Sequence, residues 1–201
     1  MPDHVSEIIR LLKKHYPDAK YYLNFSNPLE LLVAAILSAQ VRDETVNRTT
    51  DHLFKKYKTV KDYANADLKV LTNDIKSVTF ASNKAKNVKE TCRILVEKYN
   101  GKVPKTMDDL ASLPGIGRKT ANTILINAYG IVEGIPVDTW VIKLSQQFGW
   151  IKNKNPDKIE KDLMKIIPKE NWHEITYLLK RYGKDKNRSP DLEKQLSKLF
   201  P

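Results

Sequence analysis

The residues best suited to chemistry lie in two short runs near the middle of the chain. The first, residues 113–122, reads Leu-Pro-Gly-Ile-Gly-Arg-Lys-Thr-Ala-Asn, and the second, residues 137–139, reads Val-Asp-Thr. The first run predicts the end of one helix, a tight turn with two glycines, and the start of a second helix. A phosphate-binding backbone, an amine nucleophile and a carboxylate, in that order, indicate chemistry on a DNA sugar.

The two glycines of the first run are expected to form a hairpin between the helices. Pro114 ends the first helix, and Gly115 and Gly117 are expected to adopt positive φ angles at which a Cβ would clash. The N–H groups of the turn and of the next helix start then point outward and can bind a phosphate. A Gly-x-Gly sequence by itself also fits an ordinary turn between two helices.

Lys119 follows the hairpin and is the candidate nucleophile. It is predicted to lie off the apolar face of its helix, on an exposed face shared with Asn122 and Thr123. The positive end of the helix and the neighbouring Arg118 should lower the pKa of the Lys119 amine below its usual value of about 10.4. A lysine that only binds phosphate would fit the same position.

The presence of Asp138 favours the interpretation of Lys119 as a nucleophile over its interpretation as a phosphate ligand. A carboxylate within reach could accept a proton from the Lys119 amine, or stabilise positive charge that develops on the sugar. Asp138 could also cap a helix that starts at Thr139, and one side chain can fill both roles.

The composition points to a polyanionic partner. The 201 residues contain 35 Lys and Arg against 24 Asp and Glu, a net charge of +11. Only seven of the 35 are arginine, which suits contact with the DNA backbone better than bidentate reading of base edges. The single cysteine, Cys92, excludes a disulfide framework and a cysteine-rich metal site.

The chain shows no membrane-spanning apolar run and no signal-peptide pattern at its N-terminus. We therefore expect a soluble intracellular protein with no membrane partner. In a prokaryote, it would be cytoplasmic and associated with the nucleoid. We also expect a monomer.

Helical periodicity accounts for most of the chain, and we find no convincing strand alternation, so the fold is predicted to be all-α. Ser26 or Asn27 is expected to cap a buried helix that begins at Pro28. Further helices are predicted at residues 5–12, 46–57, 67–75, 85–99, 107–113, 159–167 and 172–182, after the hairpin as far as Gly130, and from Thr139.

These motifs resemble the helix-hairpin-helix, Gly/Pro-Asp superfamily of DNA repair glycosylases, and in particular its endonuclease III family. The resemblance rests on residues 113–122, 137–139 and the segment from Leu23-Asn24-Phe25-Ser26 to Leu37-Ser38-Ala39-Gln40. It implies two helical domains with a DNA-binding cleft between them. One would be a six-helix domain of residues 21–131 that contains the hairpin, and the other would combine residues 1–20 with 132–201.

The resemblance also implies a DNA glycosylase with apurinic/apyrimidinic (AP) lyase activity on oxidised pyrimidines. Lys119 would attack C1′ of the damaged nucleotide, release the base and form a Schiff base that leads to β-elimination, and Asp138 would assist. Gln40 would fill the gap left by a flipped-out nucleotide, although it could also be a solvated helix end. Further contacts with double-stranded DNA carrying damaged bases or abasic sites are expected at Phe80, Leu113, Gly115, Gly117 and Arg118.

Three features depart from the family pattern. Trp140 stands where the family usually has histidine, and it could reshape the pocket or merely pack. Residues 77–80, Ser-Val-Thr-Phe, replace an Ile-Gly-Leu/Phe-type turn and leave Phe80 as the expected intercalating residue. The cysteines that bind a [4Fe–4S] cluster are missing, so no iron–sulfur cluster is expected. A short helix capped by Ser189 would take over its structural role, with an apolar stripe of Leu192, Leu196, Leu199 and Phe200.

The sequence leaves two other functions open. A mismatch thymine/uracil DNA glycosylase of the same superfamily is disfavoured by Lys119. A non-catalytic helix-hairpin-helix module that only holds phosphates is disfavoured by Lys119 together with Asp138, because a pure binder needs neither residue.

Overall fold

The computed structural model describes residues 3–199, and over this range the chain is helical without β-strands, which confirms the all-α prediction. The α-helices, in chain order, are α1 (Asp3–His15), α2 (Pro28–Ser38), α3 (Asp43–Lys56), α4 (Val60–Asn65), α5 (Leu68–Asp74), α6 (Ala81–Lys98), α7 (Met107–Ala111), α8 (Arg118–Tyr129), α9 (Thr139–Gln147), α10 (Pro156–Ile166), α11 (Ile175–Lys184) and α12 (Pro190–Leu196). A 3₁₀ turn, Lys169–Asn171, precedes α11. Within residues 3–199, no helix combines the length and apolarity needed to cross a bilayer.

The chain divides into two compact units. The hairpin unit runs from Tyr22 to Ile131 and contains α2 to α8. The terminal unit combines the residues up to Tyr21 with those from Val132 onward, and it contains α1 and α9 to α12.

The hairpin unit holds seven α-helices rather than six. The additional helix is α4, which carries too short an apolar pattern to be recognised by periodicity. Its start is nevertheless encoded locally by a capping box: the Thr59 hydroxyl accepts from Asp62 N, and the Asp62 carboxylate accepts from Thr59 N.

The buried helix α2 lies at the centre of the hairpin unit and contacts α3, α6 and α8. Its N-cap is Asn27, whose side chain accepts a hydrogen bond from Glu30 N, and Pro28 occupies the first helical position as predicted. Every residue of the range 31–37 is buried, because the helix is apolar on all sides.

Several helices begin earlier than the apolar spacing predicts. Helices α3, α6 and α10 start at Asp43, Ala81 and Pro156, three or four residues before the expected positions. The first turn of each is largely polar, so it contributes little to the apolar stripe that marks a helix in sequence.

The terminal unit is built around α11, which packs against α1 and α9. Its core combines apolar residues from both ends of the chain, including Ile8, Leu12, Phe148, Leu179 and Tyr182. The Lys13 ammonium ties α1 to the segment before α11, because it donates to Asn171 Oδ1 at 2.7 Å and pairs with Glu174 at 2.5 Å.

Helix α12 closes the described part of the terminal unit. The Ser189 hydroxyl accepts from Leu192 N, and Leu192 and Leu196 are fully buried in the core of the unit. Leu199 packs against the same core. The predicted capped helix and the first three members of its apolar stripe are therefore confirmed, whereas Phe200 lies outside the described residues.

Five side chains stabilise the link between α11 and α12, and we call them the C-terminal clasp: Tyr16, Tyr182, Asp185, Arg188 and Glu193. The Tyr182 hydroxyl donates to Glu193 at 2.8 Å, and the Arg188 guanidinium lies 4.2 Å from the centre of the Tyr182 ring. The Tyr16 hydroxyl donates to Asp185 at 2.9 Å. Hydrogen bonds from the Asn187 N–H and from the Tyr16 hydroxyl lower the pKa of Asp185 below its ordinary value.

Candidate active site and DNA interface

The hairpin joins α7 to α8 through a tight turn. Leu113 N donates to Leu110 O and Ile116 N donates to Leu113 O, both at 3.1 Å. Gly115 has φ +80°, a conformation that L side chains rarely adopt, and a Cβ there would lie 2.8 Å from Asn87 Nδ2. The predicted need for glycine at position 115 is confirmed, for both reasons.

Gly117 behaves differently, and the predicted positive φ at this position is wrong. Its backbone is extended, with φ −96° and ψ 175°, and a Cβ would meet no described atom within 4 Å apart from those of its immediate neighbours in the chain. Gly117 is the N-cap of α8, where an extended conformation is usual for any residue. Glycine here leaves open space in front of the first turn of α8.

Helix α8 begins without a side-chain cap, because Gly117 has no side chain that could accept its first N–H groups. Four other helices of the hairpin unit, α2, α4, α5 and α7, have such caps, from Asn27, Thr59, Asp67 and Thr106 respectively. The amide donors at the positive end of α8 are thus suited to an anion such as a DNA phosphate.

Lys119 is the second residue of α8, and both it and Arg118 are exposed. The expectation that Asn122 and Thr123 share this exposed face is wrong, since these two side chains are only 1% and 2% exposed. Helix α8 is more deeply buried than its apolar stripe suggests, because α2 and α7 both pack against it. Only the first turn of α8 reaches the surface with charged side chains.

Asp138 is the N-cap of α9, in the terminal unit. Its Oδ1 atom accepts hydrogen bonds from Trp140 N and Val141 N, both at 2.9 Å. The predicted capping role is confirmed. Because both bonds use one oxygen, the same carboxylate can cap the helix and still present negative charge to a ligand.

Trp140 is half-buried and packs against α11. A Cβ at Gly183 would collide with the Trp140 ring, so only glycine allows this close approach. The Lys143 ammonium lies 5.4 Å from the centre of the same ring. Of the two interpretations left open for Trp140, the structure supports packing.

Gln40 and Phe80 lie in the hairpin unit, and both are exposed with left-handed backbone. Their φ angles are +56° and +57°, and the Phe80 side chain is 64% exposed, which is unusual for a large apolar residue. Leu113, in contrast, is 2% exposed. Its side chain belongs to the core, so only its backbone is available for DNA contact.

Helix α6 supports the surface loops of the hairpin unit with polar side chains that were not predicted. Thr91 Oγ1 donates to Pro114 O at 3.1 Å, and Asn87 lies against Gly115. Lys84 donates to backbone carbonyls at the end of α2, next to Gln40. Their i, i+3, i+7 spacing places these three residues on one face of α6, but polar residues at this spacing ordinarily indicate a solvated face.

The residues present do not fit the [4Fe–4S] cluster that belongs to the family pattern. Cys92 is the only cysteine of the chain, and it is fully buried in α6, where burial raises the pKa of its thiol to about 12. Across residues 3–199, no group of three or more His, Cys, Asp or Glu side chains could hold a metal ion. A cubane cluster needs about four thiolates.

The family described as HhH-GPD superfamily base excision DNA repair protein matches residues 33–169, which include the hairpin, Lys119 and Asp138. The chain belongs to this superfamily. Within it, the endonuclease III of Synechocystis sp. is 44% identical over 179 residues, which are 89% of this chain and 82% of that relative.

Two solved structures of endonuclease III bound to DNA are similar over nearly the whole chain. A non-covalent complex has a TM-score of 0.91 and 38% identity, covering 100% of this chain and 95% of the other. A trapped covalent intermediate has a TM-score of 0.88 and 37% identity, covering 98% and 99%.

Proposed function

We infer that this chain is a DNA glycosylase with AP lyase activity, which excises oxidised pyrimidines from double-stranded DNA and cleaves the strand at the resulting abasic site. The observation that carries this conclusion is the position of Lys119: exposed, second in α8, and directly after a glycine hairpin without a side-chain cap. Membership of a base excision repair superfamily and 44% identity to an endonuclease III support it.

We propose Lys119 as the nucleophile. Its unprotonated amine attacks C1′, the glycosidic bond breaks, and the base leaves with the bonding electrons. Loss of a proton from nitrogen and opening of the sugar ring give a Schiff base between Lys119 and C1′. Removal of a proton from C2′ then expels the 3′ phosphate by β-elimination. The first step requires the unprotonated amine, and Lys119 lies in the first turn of α8, at its positive end and next to Arg118.

We propose Asp138 as the acidic residue that assists base loss. Its carboxylate stabilises the positive charge that develops on the sugar, or accepts the proton that the amine loses. The two hydrogen bonds from the start of α9 hold the carboxylate in place.

The remaining candidates act on the DNA itself. Gly115, Gly117 and Arg118 bind phosphates through the hairpin amides and the guanidinium, with Leu113 contributing backbone only. Gln40 fills the space of the extruded nucleotide and Phe80 inserts between bases, as their exposed positions permit. Damaged bases unstack at lower energetic cost than intact ones, so they are easier to extrude from the duplex.

Borohydride trapping tests the nucleophile. The wild-type protein should become covalently fixed to an abasic-site duplex, whereas Lys119→Gln should bind the duplex without being trapped. Lys61→Gln is a matched control, since Lys61 is also exposed and second in its helix, α4, which Thr59 caps. Undiminished trapping in Lys119→Gln would place the nucleophile elsewhere.

Duplexes that carry thymine glycol, uracil, a G·T mismatch or an abasic site distinguish the competing functions. Excision of thymine glycol followed by strand cleavage is the expected outcome. Excision of uracil and mismatched thymine alone would favour the mismatch glycosylase. Binding without any excision or cleavage would favour the non-catalytic module.

We further propose that the protein works without an iron–sulfur cluster, with α12 and the C-terminal clasp stabilising the region that the cluster would hold. One cysteine and the fully buried Leu192 and Leu196 support this proposal. Purified protein should be colourless, and chelators should leave its melting temperature unchanged. Visible iron–sulfur absorbance, or iron bound in stoichiometric amount, would contradict it.

We also propose that the protein acts as a monomer and that, if the source is prokaryotic, it is cytoplasmic and associated with the nucleoid. Double-stranded DNA as the proposed substrate and the similarity to the endonuclease III of Synechocystis sp. support this proposal. Sedimentation of the free protein at micromolar concentration tests the oligomeric state, and a stable dimer would overturn that part of the proposal.

A further inference from the structure

Gln40 and Phe80 adopt a backbone conformation that their side chains do not favour. Among residues 3–199, only Gln40, Phe80 and Asn100 combine a side chain with a positive φ. Asparagine is commonly found in this region, but glutamine and phenylalanine are not. Surrounding contacts must therefore hold the turns at Gln40 and Phe80 in place.

One network of hydrogen bonds connects the two turns. Lys84 Nζ donates to Leu37 O at 2.9 Å and to Ala39 O at 2.6 Å, at the end of α2. Thr79 Oγ1 donates to Gln40 O at 3.0 Å. Thr79 directly precedes Phe80, and Lys84 lies in the first turn of α6, which follows it. Leu37 O belongs to the last turn of α2, and Ala39 O and Gln40 O belong to the turn that follows α2.

Lys84 is an unusual residue for this role, because it is only 5% exposed. Desolvation lowers the pKa of its ammonium below the ordinary value. The ammonium lies at the negative end of α2, where the last carbonyls lack helical partners, so its two hydrogen bonds offset the desolvation. A buried lysine that bonds only to backbone serves to fix that backbone.

Lys89, on the same helix, also donates a hydrogen bond from its ammonium to a loop carbonyl. Its ammonium donates to Ala66 O at 2.6 Å and so bonds the C-cap of α4. Lys89 and Lys84 thus make the same kind of bond from one helix, to two different loops. Only the loop held by Lys84 presents a residue proposed to enter DNA.

We propose that Lys84 is a positioning residue that, with Thr79, holds Gln40 and Phe80 as a pair for insertion into the duplex at the extruded nucleotide. This inference rests on the proposed function of Gln40 and Phe80. Because Lys84 acts through them, its removal should impair base extrusion more than the chemistry that follows.

The test uses Lys84→Met, which keeps most of the buried side-chain volume and removes the donors. Single-turnover excision of thymine glycol should fall by about 10- to 100-fold, the size expected when a positioning contact is lost. Cleavage of a preformed abasic site should fall less, because no base has to be unstacked. The fluorescence rise of 2-aminopurine placed beside the lesion, which reports extrusion, should decrease in parallel with excision.

Two further variants separate positioning from stability. Lys89→Met should lower the melting temperature about as much as Lys84→Met does. It should leave the excision rate and the 2-aminopurine fluorescence unchanged. Lys84→Arg, which keeps a charge and several donors, should recover part of the excision rate. In the double variant that combines Lys84→Met with Gln40→Ala, the loss of excision rate should be smaller than the sum of the two single losses, since Lys84 acts through Gln40.

The outcomes distinguish this inference from the function on which it rests. Full excision activity in both Gln40→Ala and Phe80→Ala would refute the insertion roles, and with them the positioning role. Losses in those variants, with Lys84→Met no more impaired than Lys89→Met, would refute the positioning role alone. Equal losses in excision and abasic-site cleavage, additive with Gln40→Ala, would make Lys84 purely structural.

Discussion

The hairpin between α7 and α8 and the link between α11 and α12 both connect two helices, but they are built in opposite ways. In the hairpin, α8 starts directly after Gly117 without a side-chain cap, and its first two residues are exposed and charged. In the C-terminal link, Ser189 caps the next helix, and Arg188 donates to Tyr182 O at 3.1 Å. The start of α8 lacks a side-chain cap and is proposed to bind a phosphate, whereas the start of α12 is capped by the protein itself.

The same difference extends through the hairpin unit. Its described helices without side-chain N-caps are α3, α6 and α8. These three helices follow the Gln40 turn, the Phe80 turn and the hairpin, which are the segments proposed to contact DNA. Helix starts that face a polyanion need no internal acceptor, because phosphate oxygens can take its place. In the hairpin unit, side-chain N-caps are thus absent from the helices at the proposed DNA-binding surface and present on the other helices.

Asp138 is the residue that could break this comparison, because it caps α9 and is also proposed to act in catalysis. Asp138→Asn should slow excision by about 10²- to 10⁴-fold, the usual contribution of acid–base or electrostatic assistance. Thermal stability should change little, since asparagine also caps helices well. Single-turnover kinetics and thermal unfolding measure the two effects.

Asn155 provides the control for a cap without a catalytic role. It caps α10 through bonds from Asp157 N and Lys158 N, the same i+2 and i+3 pattern that Asp138 uses. Asn155→Ala should cost about 1 kcal/mol of stability and leave excision unchanged. Near-normal turnover in Asp138→Asn would return Asp138 to a structural role only.

Because α12 packs on the core of the terminal unit, removing its buried side chain Leu196 should destabilise the protein. Leu196 is fully buried, so Leu196→Ala should lower the free energy of unfolding by about 2–5 kcal/mol, through lost burial and a residual cavity. Lys194→Ala, on the exposed side of α12, should change it by less than about 0.5 kcal/mol. Denaturant titrations that show equal stability for the two variants would refute a structural role for α12.

The two glycines of the hairpin should separate folding from binding. Gly115→Ala is expected to destabilise the protein by about 1–3 kcal/mol, because φ is +80° and the new methyl group would crowd Asn87. Gly117→Ala should fold normally, yet bind an abasic-analogue duplex about tenfold more weakly, because its methyl group would occupy the space a phosphate needs. Unchanged affinity in stable Gly117→Ala would argue against phosphate binding there.

The smallest expected effect concerns the salt dependence of binding. The affinity for an abasic-analogue duplex should fall steeply with salt and vary little with flanking sequence, because the contacts are to phosphates. Arg118→Gln should reduce the slope of log K against log salt by about one, the loss of one phosphate contact. A flat plot for the wild-type protein would contradict phosphate binding by the hairpin.

Local signals in the sequence predicted much of the fold and part of the candidate site. The cap at Asn27, the glycine turn at position 115, the cap at Asp138 and the helix after Ser189 all depend on residues a few positions apart. Such features follow from backbone sterics and from hydrogen bonds within one turn, so they can be recognised without knowing the fold. The catalytic and DNA-binding roles remain predictions that rest on family resemblance.

Contacts between residues distant in sequence were decided by the tertiary structure alone. Lys84 bonds a carbonyl 47 residues away, Asn122 and Thr123 are covered by packing around α8, and Gly183 is required because Trp140 lies against it. A lysine, an asparagine and a threonine in helices look like solvent-exposed residues in sequence, and a helical glycine looks like a weak position. Whether such residues are buried depends on which elements pack against them, and periodicity within a single helix carries no information about that partner.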